Sequence, residues 1–220
     1  MTNKKKLTLL FIFATTTICQ AQLKKGTVLL GGQVSAFKSK SASYNTSAAN
    51  NNTNGGASLN ISVAKTFVVN KAIGIAITGG YNRSKVLNNI ATFDKSYNQT
   101  VGANIFYRQY KKLATDFYFF GEAGFGVYDG FQSQTQDNNG NIADANSISV
   151  NTYITPGLSY KLYKKLQLEL TLPNILGIQY SRTKFIGNSS NNYENSQFGF
   201  STAISSGLLN NLSVGFRLFI

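Results

Sequence analysis

The chain has no His and no Trp, and only one Cys and two Pro in 220 residues. Without His there is no Ser-His-Asp triad, no imidazole ligand for a metal and no imidazole proton shuttle. The single cysteine, Cys19, falls inside residues 1–21, which read as a secretory signal. Lys4, Lys5 and Lys6 form its charged start, Leu7 to Ala14 its apolar core, and Cys19-Gln20-Ala21 supplies small residues at both cleavage-determining positions. Ile18 stands where a lipid-modified cysteine needs a small residue, so the expected mature chain is 22–220 and carries no thiol. Disulfides, thiol nucleophiles and thiolate metal sites are thereby excluded.

Long apolar runs are missing too. The signal core is too short to span a bilayer as a helix, and no later run is longer, so any membrane insertion has to be by barrel. Charged residues are 13% of the chain, against roughly 25% in soluble domains. Acids are the scarcer sign, 8 against 21 Lys and Arg, which gives a formal charge of +13. Lys24, Lys25, Lys71, Lys111, Lys112, Lys164 and Lys165 fall at expected turns or the mature N-terminus, without a basic helix or a stripe of bases and aromatics. Contact with anionic lipid head groups suits this distribution better than nucleic acid does.

What is abundant is Gly (20), Phe (16) and Tyr (12), a composition of long twisted strands. Period-two alternation runs through Val28–Lys38, Ala57–Val68, Ala72–Ser84, Tyr97–Tyr110, Asp116–Phe131, Ile148–Leu162, Leu166–Thr183 and Ser196–Ile220. Short links at Val69-Asn70-Lys71, Lys111–Thr115 and Tyr163-Lys164-Lys165 alternate with polar stretches at Ser39–Gly56, Lys85–Ser96, Gln132–Asn146 and Asn188–Asn195, which read as loops. Turns short on one side and loops long on the other are expected of an outer-membrane barrel. Eight strands, an even number, place both termini on the periplasmic side. Several exceed the ~9–11 residues a crossing needs, so their outer ends should project as hairpins.

Strand number is the open point. Turns at Pro173-Asn174 and Ser205–Asn211 would give ten strands. Apolar parity carries through both runs, which favours eight unbroken strands. The fold expected is an all-β, eight-stranded, antiparallel up-and-down transmembrane β-barrel.

Four charged residues face inward on this pattern: Arg108, Glu122, Glu169 and Arg217. Two carboxylates could act as general acid and base. An eight-stranded barrel is just wide enough to be filled by side chains, however, and charges in such a space need partners. With no nucleophile or cofactor motif beside them, an ion-paired lumen network is the favoured reading. The remaining acids, Asp94, Asp116, Asp129, Asp137, Asp144 and Glu194, do not form a calcium-loop pattern. Gly121-Glu122-Ala123-Gly124-Phe125-Gly126 precedes no helix pattern and so is no phosphate loop; inward Gly124 and Gly126 make room for bulky neighbours. Tyr81, Tyr107, Tyr160, Tyr180 and Phe67 sit where an aromatic girdle would lie.

The segment Tyr107 to Tyr128 (YRQYKKLATDFYFFGEAGFGVY), followed by Thr155-Pro156-Gly157-Leu158-Ser159-Tyr160, resembles the small outer-membrane β-barrel ("porin family") proteins of Bacteroidota. These are similar in turn to the outer-membrane protein A type of eight-stranded barrel. The terminal Ser213-x-Gly215-x-x-Leu218-x-Ile220 resembles the signal read by the barrel assembly machinery, departing from it at Ile220, where an aromatic is usual. The resemblance implies outer-membrane location, lipid and lipopolysaccharide as surroundings, and the assembly machinery as a partner during biogenesis. From the residues themselves, no cofactor and no nucleic-acid partner are expected. The expected role is structural or surface-interacting, with a side-chain-filled lumen. A narrow channel for small solutes is the alternative. A lipid-modifying enzyme, as some eight-stranded barrels are, is disfavoured by the absence of His, and a soluble ligand-binding barrel would need its apolar faces turned inward.

Overall fold

The computed structural model describes residues 23–45, 48–88, 93–136, 141–172, 174–187, 193–202 and 212–220. The expected signal, 1–21, lies outside them. Ten strands run in chain order: β1 (Val28–Asn45), β2 (Ala48–Val68), β3 (Lys71–Asn88), β4 (Phe93–Lys112), β5 (Phe117–Gln136), β6 (Asn141–Tyr163), β7 (Leu166–Thr171), β8 (Leu176–Gly187), β9 (Tyr193–Ser201) and β10 (Ser213–Phe219). Each neighbouring pair is antiparallel, and β10 returns to pair with β1, closing a ring of β1 to β7 and β10.

Register gives the ring its dimensions. Pairing leads from Val34 through Leu59, Gly79, Val101 and Asp129 to Ile148 on β6. In the other direction it leads from Val34 through Val214 and Leu170 to Leu158, 10 residues further along β6. A stagger of that size over eight strands corresponds to a strand tilt of roughly 40°.

Short links collect at one end. β2 turns into β3 through Val69 and Asn70, and Asn70 takes the left-handed conformation (φ 61°) that Asn tolerates better than most side chains. Its side-chain oxygen accepts from Leu23 N–H at 2.9 Å and its carbonyl from Tyr110 N–H at 2.8 Å, so the turn is stitched to the N-terminus and to β4. The last residue is tied as firmly: Ile220 N–H donates to the Val28 carbonyl at 2.9 Å and Val28 N–H to the Ile220 carbonyl at 3.0 Å.

At the other end the strands run on as two-stranded hairpins. The expected loops Ser39–Gly56, Lys85–Ser96 and Gln132–Asn146 are mostly strand: pairing continues to Asn45↔Ala48, Leu87↔Phe93 and Gln136↔Asn141. In the stretch expected as the fourth loop, β9 begins at Tyr193, and residues 188–192 lie outside the described set. These hairpin arms have no apolar face to display, so their Asn, Ser and Thr residues show no hydrophobic period while still completing backbone ladders.

The expectation of eight unbroken strands also needs correcting. The wall breaks where ten strands would have turned, yet neither break reverses the chain. β7 and β8 are the lower and upper parts of one wall position, and β10 and β9 of the next. Lower β6 pairs with β7 (Gly157↔Thr171) and upper β6 with β8 (Ile154↔Leu176), so the β7–β8 side carries two extra residues. Pro156 occupies the switch, at the end of the β6–β7 ladder, where its carbonyl accepts from Leu172 N–H at 3.0 Å. From Gly177↔Ser201 to Thr171↔Ser213, the β9–β10 side carries six extra.

Around the second break the described residues leave part of the wall unpaired. β9 pairs with β8 alone, and no Cα of β9 comes within 8 Å of one of β1. Above Val34, β1 is likewise bonded only to β2. The ring is complete in its lower half and, among the described residues, carries a seam between β1 and β9 in its upper half.

Polarity is inverted relative to a water-soluble barrel. Leu59, Ile61, Ile75, Ile105, Phe125, Ile178, Val214 and Phe216 point outward, Ile77 being 66% and Phe216 53% exposed. The buried apolar residues, Leu29, Ala64, Ala72, Ala76, Phe106, Tyr110, Tyr118 and Phe120, pack inside the lower half of the ring.

Candidate functional site in the lumen

Four strands converge on one cluster. Arg108 on β4 lies directly across from Glu122 on β5, a register pair, while Glu169 and Arg217 come from β7 and β10. The structure brings together all four residues singled out from the alternation. Arg217 holds Glu169 in a fork, Nε to Oε1 at 2.7 Å and Nη2 to Oε2 at 3.0 Å. Arg108 Nη1 donates to both oxygens of Glu169 at 2.8 Å, and its Nε donates to Glu122 Oε2 at 2.7 Å. Glu169 therefore sits between two guanidiniums and Glu122 at the edge of one. The formal charges cancel, two against two.

Burial is nearly complete, at 5% exposure for Arg108, 4% for Glu169 and 3% for Arg217. Ion pairs so desolvated hold only with close geometry and further hydrogen bonds. Both are supplied. The Arg108 guanidinium lies over the Phe120 ring, 4.2 Å from its centroid, and Nη1 donates to the Tyr110 hydroxyl at 3.3 Å. Tyr153 donates to Glu122 Oε1 at 3.1 Å and accepts from Asn104 Nδ2 at 2.8 Å, tying Glu122 to β4 and β6. Tyr110, Phe120 and Tyr153 share the inward parity of Arg108 and Glu122, so the alternation that located the charges also contained these three.

Glycines create the room. A Cβ on Gly157 would run into the Phe120 ring, and one on Gly124 into Tyr153. At Gly31 it would stand 2.6 Å from Ser62 Oγ and 3.0 Å from Arg217 Cζ. At Gly126, as expected of an inward glycine, it would meet the Tyr128 ring at 2.7 Å. The void left beside the cluster, lined by Asn60, Ser62, Asn104 and the four charges, is about 30 Å³, room for about one water molecule. Arg217 Nη1 has no hydrogen-bond partner there. Above it, neutral groups line the lumen: Asn60 donates to Thr78 at 2.8 Å, and Ser35 and Ser58 share a 2.6 Å bond.

The other residues singled out in advance lie at the closing strand. Ser213 and Gly215 take the lumen-side parity of Arg217, and a Cβ on Gly215 would approach the Gly32 carbonyl oxygen at 2.5 Å. Leu218 and Ile220 face outward. No group of three or more carboxylates placed to hold a metal occurs among the described residues. Of the expected girdle, Phe67, Tyr81, Tyr160 and Tyr180 are exposed on the outer wall, and Phe67 packs on Tyr107 with centroids 6.2 Å apart.

No family model matches the chain and no curated protein does. Solved structures do. The outer membrane protein OprG from Pseudomonas aeruginosa matches over 90% of this chain and 97% of its own, at 11% identity and a TM-score of 0.53. Neisserial surface protein A matches over 88% and 97%, at 17% identity and a TM-score of 0.37. A major outer membrane protein from Thermus thermophilus matches over 88% and 99%, at 12% identity and a TM-score of 0.44. The likeness to OprG is one of fold, and it agrees with the register: the chain is an all-β, antiparallel, up-and-down barrel of eight strands.

Proposed function

We propose that this chain is an integral outer-membrane β-barrel with a structural or surface-interaction role and a lumen closed by its own side chains. The observation that carries the reading is the inverted polarity. Apolar side chains form a band around the outer wall at all eight strand positions, while Arg108, Glu122, Glu169 and Arg217 pair inside. A surface of that extent is stable against lipid and would aggregate in water. The short turns and both termini then belong on the periplasmic side and the long hairpins outside, where their polar arms offer the contact surface. Ser213, Gly215, Leu218 and Ile220 serve as the assembly signal, on a strand whose register with β1 closes the ring.

Closure is supported by layering along the barrel axis. The packed apolar layer around Phe106, Tyr110 and Phe120 underlies the Arg108–Glu122–Glu169–Arg217 cluster, and the space beside the cluster is about 30 Å³. Packing at these two levels supports a closed lumen, whereas a narrow channel would need an open file of water through them. Expression in a Gram-negative host tests the membrane assignment. The chain is expected in the outer-membrane fraction, with faster gel migration before boiling than after. Recovery in the periplasm as a soluble protein with heat-independent migration would contradict it.

A further inference from the structure

The bases at the long-hairpin end are not spread evenly. On the outer face of β1 to β4, three apolar register rows stack upward: Leu30/Val63/Ile75/Ile105, Gly32/Ile61/Ile77/Ala103 and Val34/Leu59/Gly79/Val101. One row of mixed character follows, Ala36/Ala57/Tyr81/Gln99. The next two are basic: Lys38/Gly55/Arg83/Tyr97 and Lys40/Thr53/Lys85/Lys95. Lys38, Lys40, Arg83 and Lys95 make no ion pair among the described residues. Across the barrel the outward charges are different in kind. Asp129 stands on β5, Arg182 on β8 is already paired to Glu194 on β9, and Lys184 on β8 is the register partner of that same carboxylate.

Each band holds a groove. Around Gly32, where the Phe216 ring closes to 3.1 Å of the place a Cβ would take, a recess of about 500 Å³ is lined by Leu30, Val34, Leu59, Ile61, Ile77 and Phe216. Above it, where Gly55 and Ala57 keep the wall low, a second recess of about 540 Å³ lies among Lys38, Tyr81, Arg83 and Lys85. Arg83 is held in place over the Tyr97 ring, 5.4 Å from its centroid. An apolar trough leading into a basic one on the same strands is the shape of an acyl chain with an anionic head.

The spread of the bases narrows the head group. Lys38 and Arg83 are two strand spacings apart and Lys40 and Lys95 three, roughly 10 and 14 Å. That is wider than one phosphate and suits two phosphates held apart on one head group. We propose that the outer face of β1–β4 is a binding site for a bis-phosphorylated glycolipid of the lipid A type. Its phosphates lie among Lys38, Lys40, Arg83 and Lys95, and an acyl chain lies in the recess at Gly32. The proposal rests on the outer-membrane reading, which places the long-hairpin end in the external leaflet.

The test uses the full mature chain, purified from outer membranes in mild detergent, stripped of lipid and titrated by native mass spectrometry. The probes are bis-phosphorylated lipid A, dephosphorylated lipid A and cardiolipin. The wild type is expected to bind bis-phosphorylated lipid A at least about tenfold more tightly than the dephosphorylated form. The K38Q/K40Q/R83Q/K95Q variant should lose that difference, and K111Q/K112Q/K164Q/K165Q, altered at the short-turn end, should keep it. Undiminished lipid A binding by the first variant, checked to be folded by heat-modifiable migration, would overturn the site. So would equal binding of both forms of lipid A by the wild type. Preference for cardiolipin over lipid A would overturn the assignment of the lipid. A wild-type chain that fails to reach the outer membrane would instead overturn the reading beneath the proposal, and the site with it.

Discussion

Glu169 and Glu122 are chemically alike, yet the structure gives them unequal weight. Glu169 is bonded to two guanidiniums and almost fully buried. Glu122 shares one guanidinium with it and is backed by the Tyr153 hydroxyl. Removing the Glu169 charge leaves two buried cations against one anion. Glu169→Gln is therefore expected to destabilise the barrel by about 3–5 kcal/mol. Glu122→Gln removes a charge bonded to one guanidinium only and less deeply buried, and its single remaining oxygen can still accept from Arg108, so it should cost about 1–2 kcal/mol. Urea titration followed by gel migration reads both, and a larger loss from Glu122→Gln would contradict the assigned geometry. Glycines give a second contrast. Gly157→Ala thrusts a methyl into the Phe120 ring that carries Arg108, at a cost of about 1–3 kcal/mol. Gly79→Ala meets open space and should stay within about 0.5 kcal/mol of wild type in the same titration.

Among the elements, β9 stands apart. It is bonded on one side only, its residues are exposed on both faces, and Phe198 is 73% exposed. Among the described residues, backbone amides of β9 and upper β1 that point into the seam have no strand across from them, whereas β3 and β4 are paired on both sides. Hydrogen exchange in detergent micelles should therefore be at least about 100-fold faster for seam-facing amides of Tyr193–Ser201 than for those of Ile73–Thr78. Equal protection would show the seam to be closed in solution. This feature was invisible to sequence parity for a definite reason. The interruptions insert two residues between β7 and β8 and six between β9 and β10, and an even insertion leaves every later side chain on the same face. The alternation of Leu166–Thr183 and Ser196–Ile220 therefore reads as continuous while the wall breaks. The hairpin arms were hidden for a different reason: Ser39–Gly56 has no face to bury, so nothing in its composition distinguishes a solvated ladder from a loop. Where one face meets an apolar medium, as in Leu59–Val63 or Ile73–Ile77, the pattern located strand, face and register partner together. The same parity placed Arg108, Glu122, Glu169 and Arg217 inside, and it held Tyr110, Phe120 and Tyr153 on the same face without marking them as partners. Contact among those seven side chains depends on the 10-residue stagger of the ring, which no single strand encodes.

For the molecule as a whole, the layers divide the labour. The lower half is a closed ring filled first by packed apolar side chains and then by paired charges. The upper half is a neutral, polar-lined cup continuing into long hairpins, with a seam on one side and a basic band on the outer wall adjoining it. Here the inward charges are spent on one another. The surfaces left to act on surroundings are the hairpins and the outer wall, which is where a structural or surface-interaction role would operate.

Single-channel recording in planar bilayers tests the closed lumen most directly. The wild-type barrel, inserted and verified by heat-modifiable migration, is expected to give a trace no different from the bare bilayer, because the Arg108–Glu122–Glu169–Arg217 cluster and the layer beneath it fill the ring. Stable ohmic steps from the wild type, abolished or altered by Arg108→Ala or Glu122→Ala, would contradict the account and establish a channel instead.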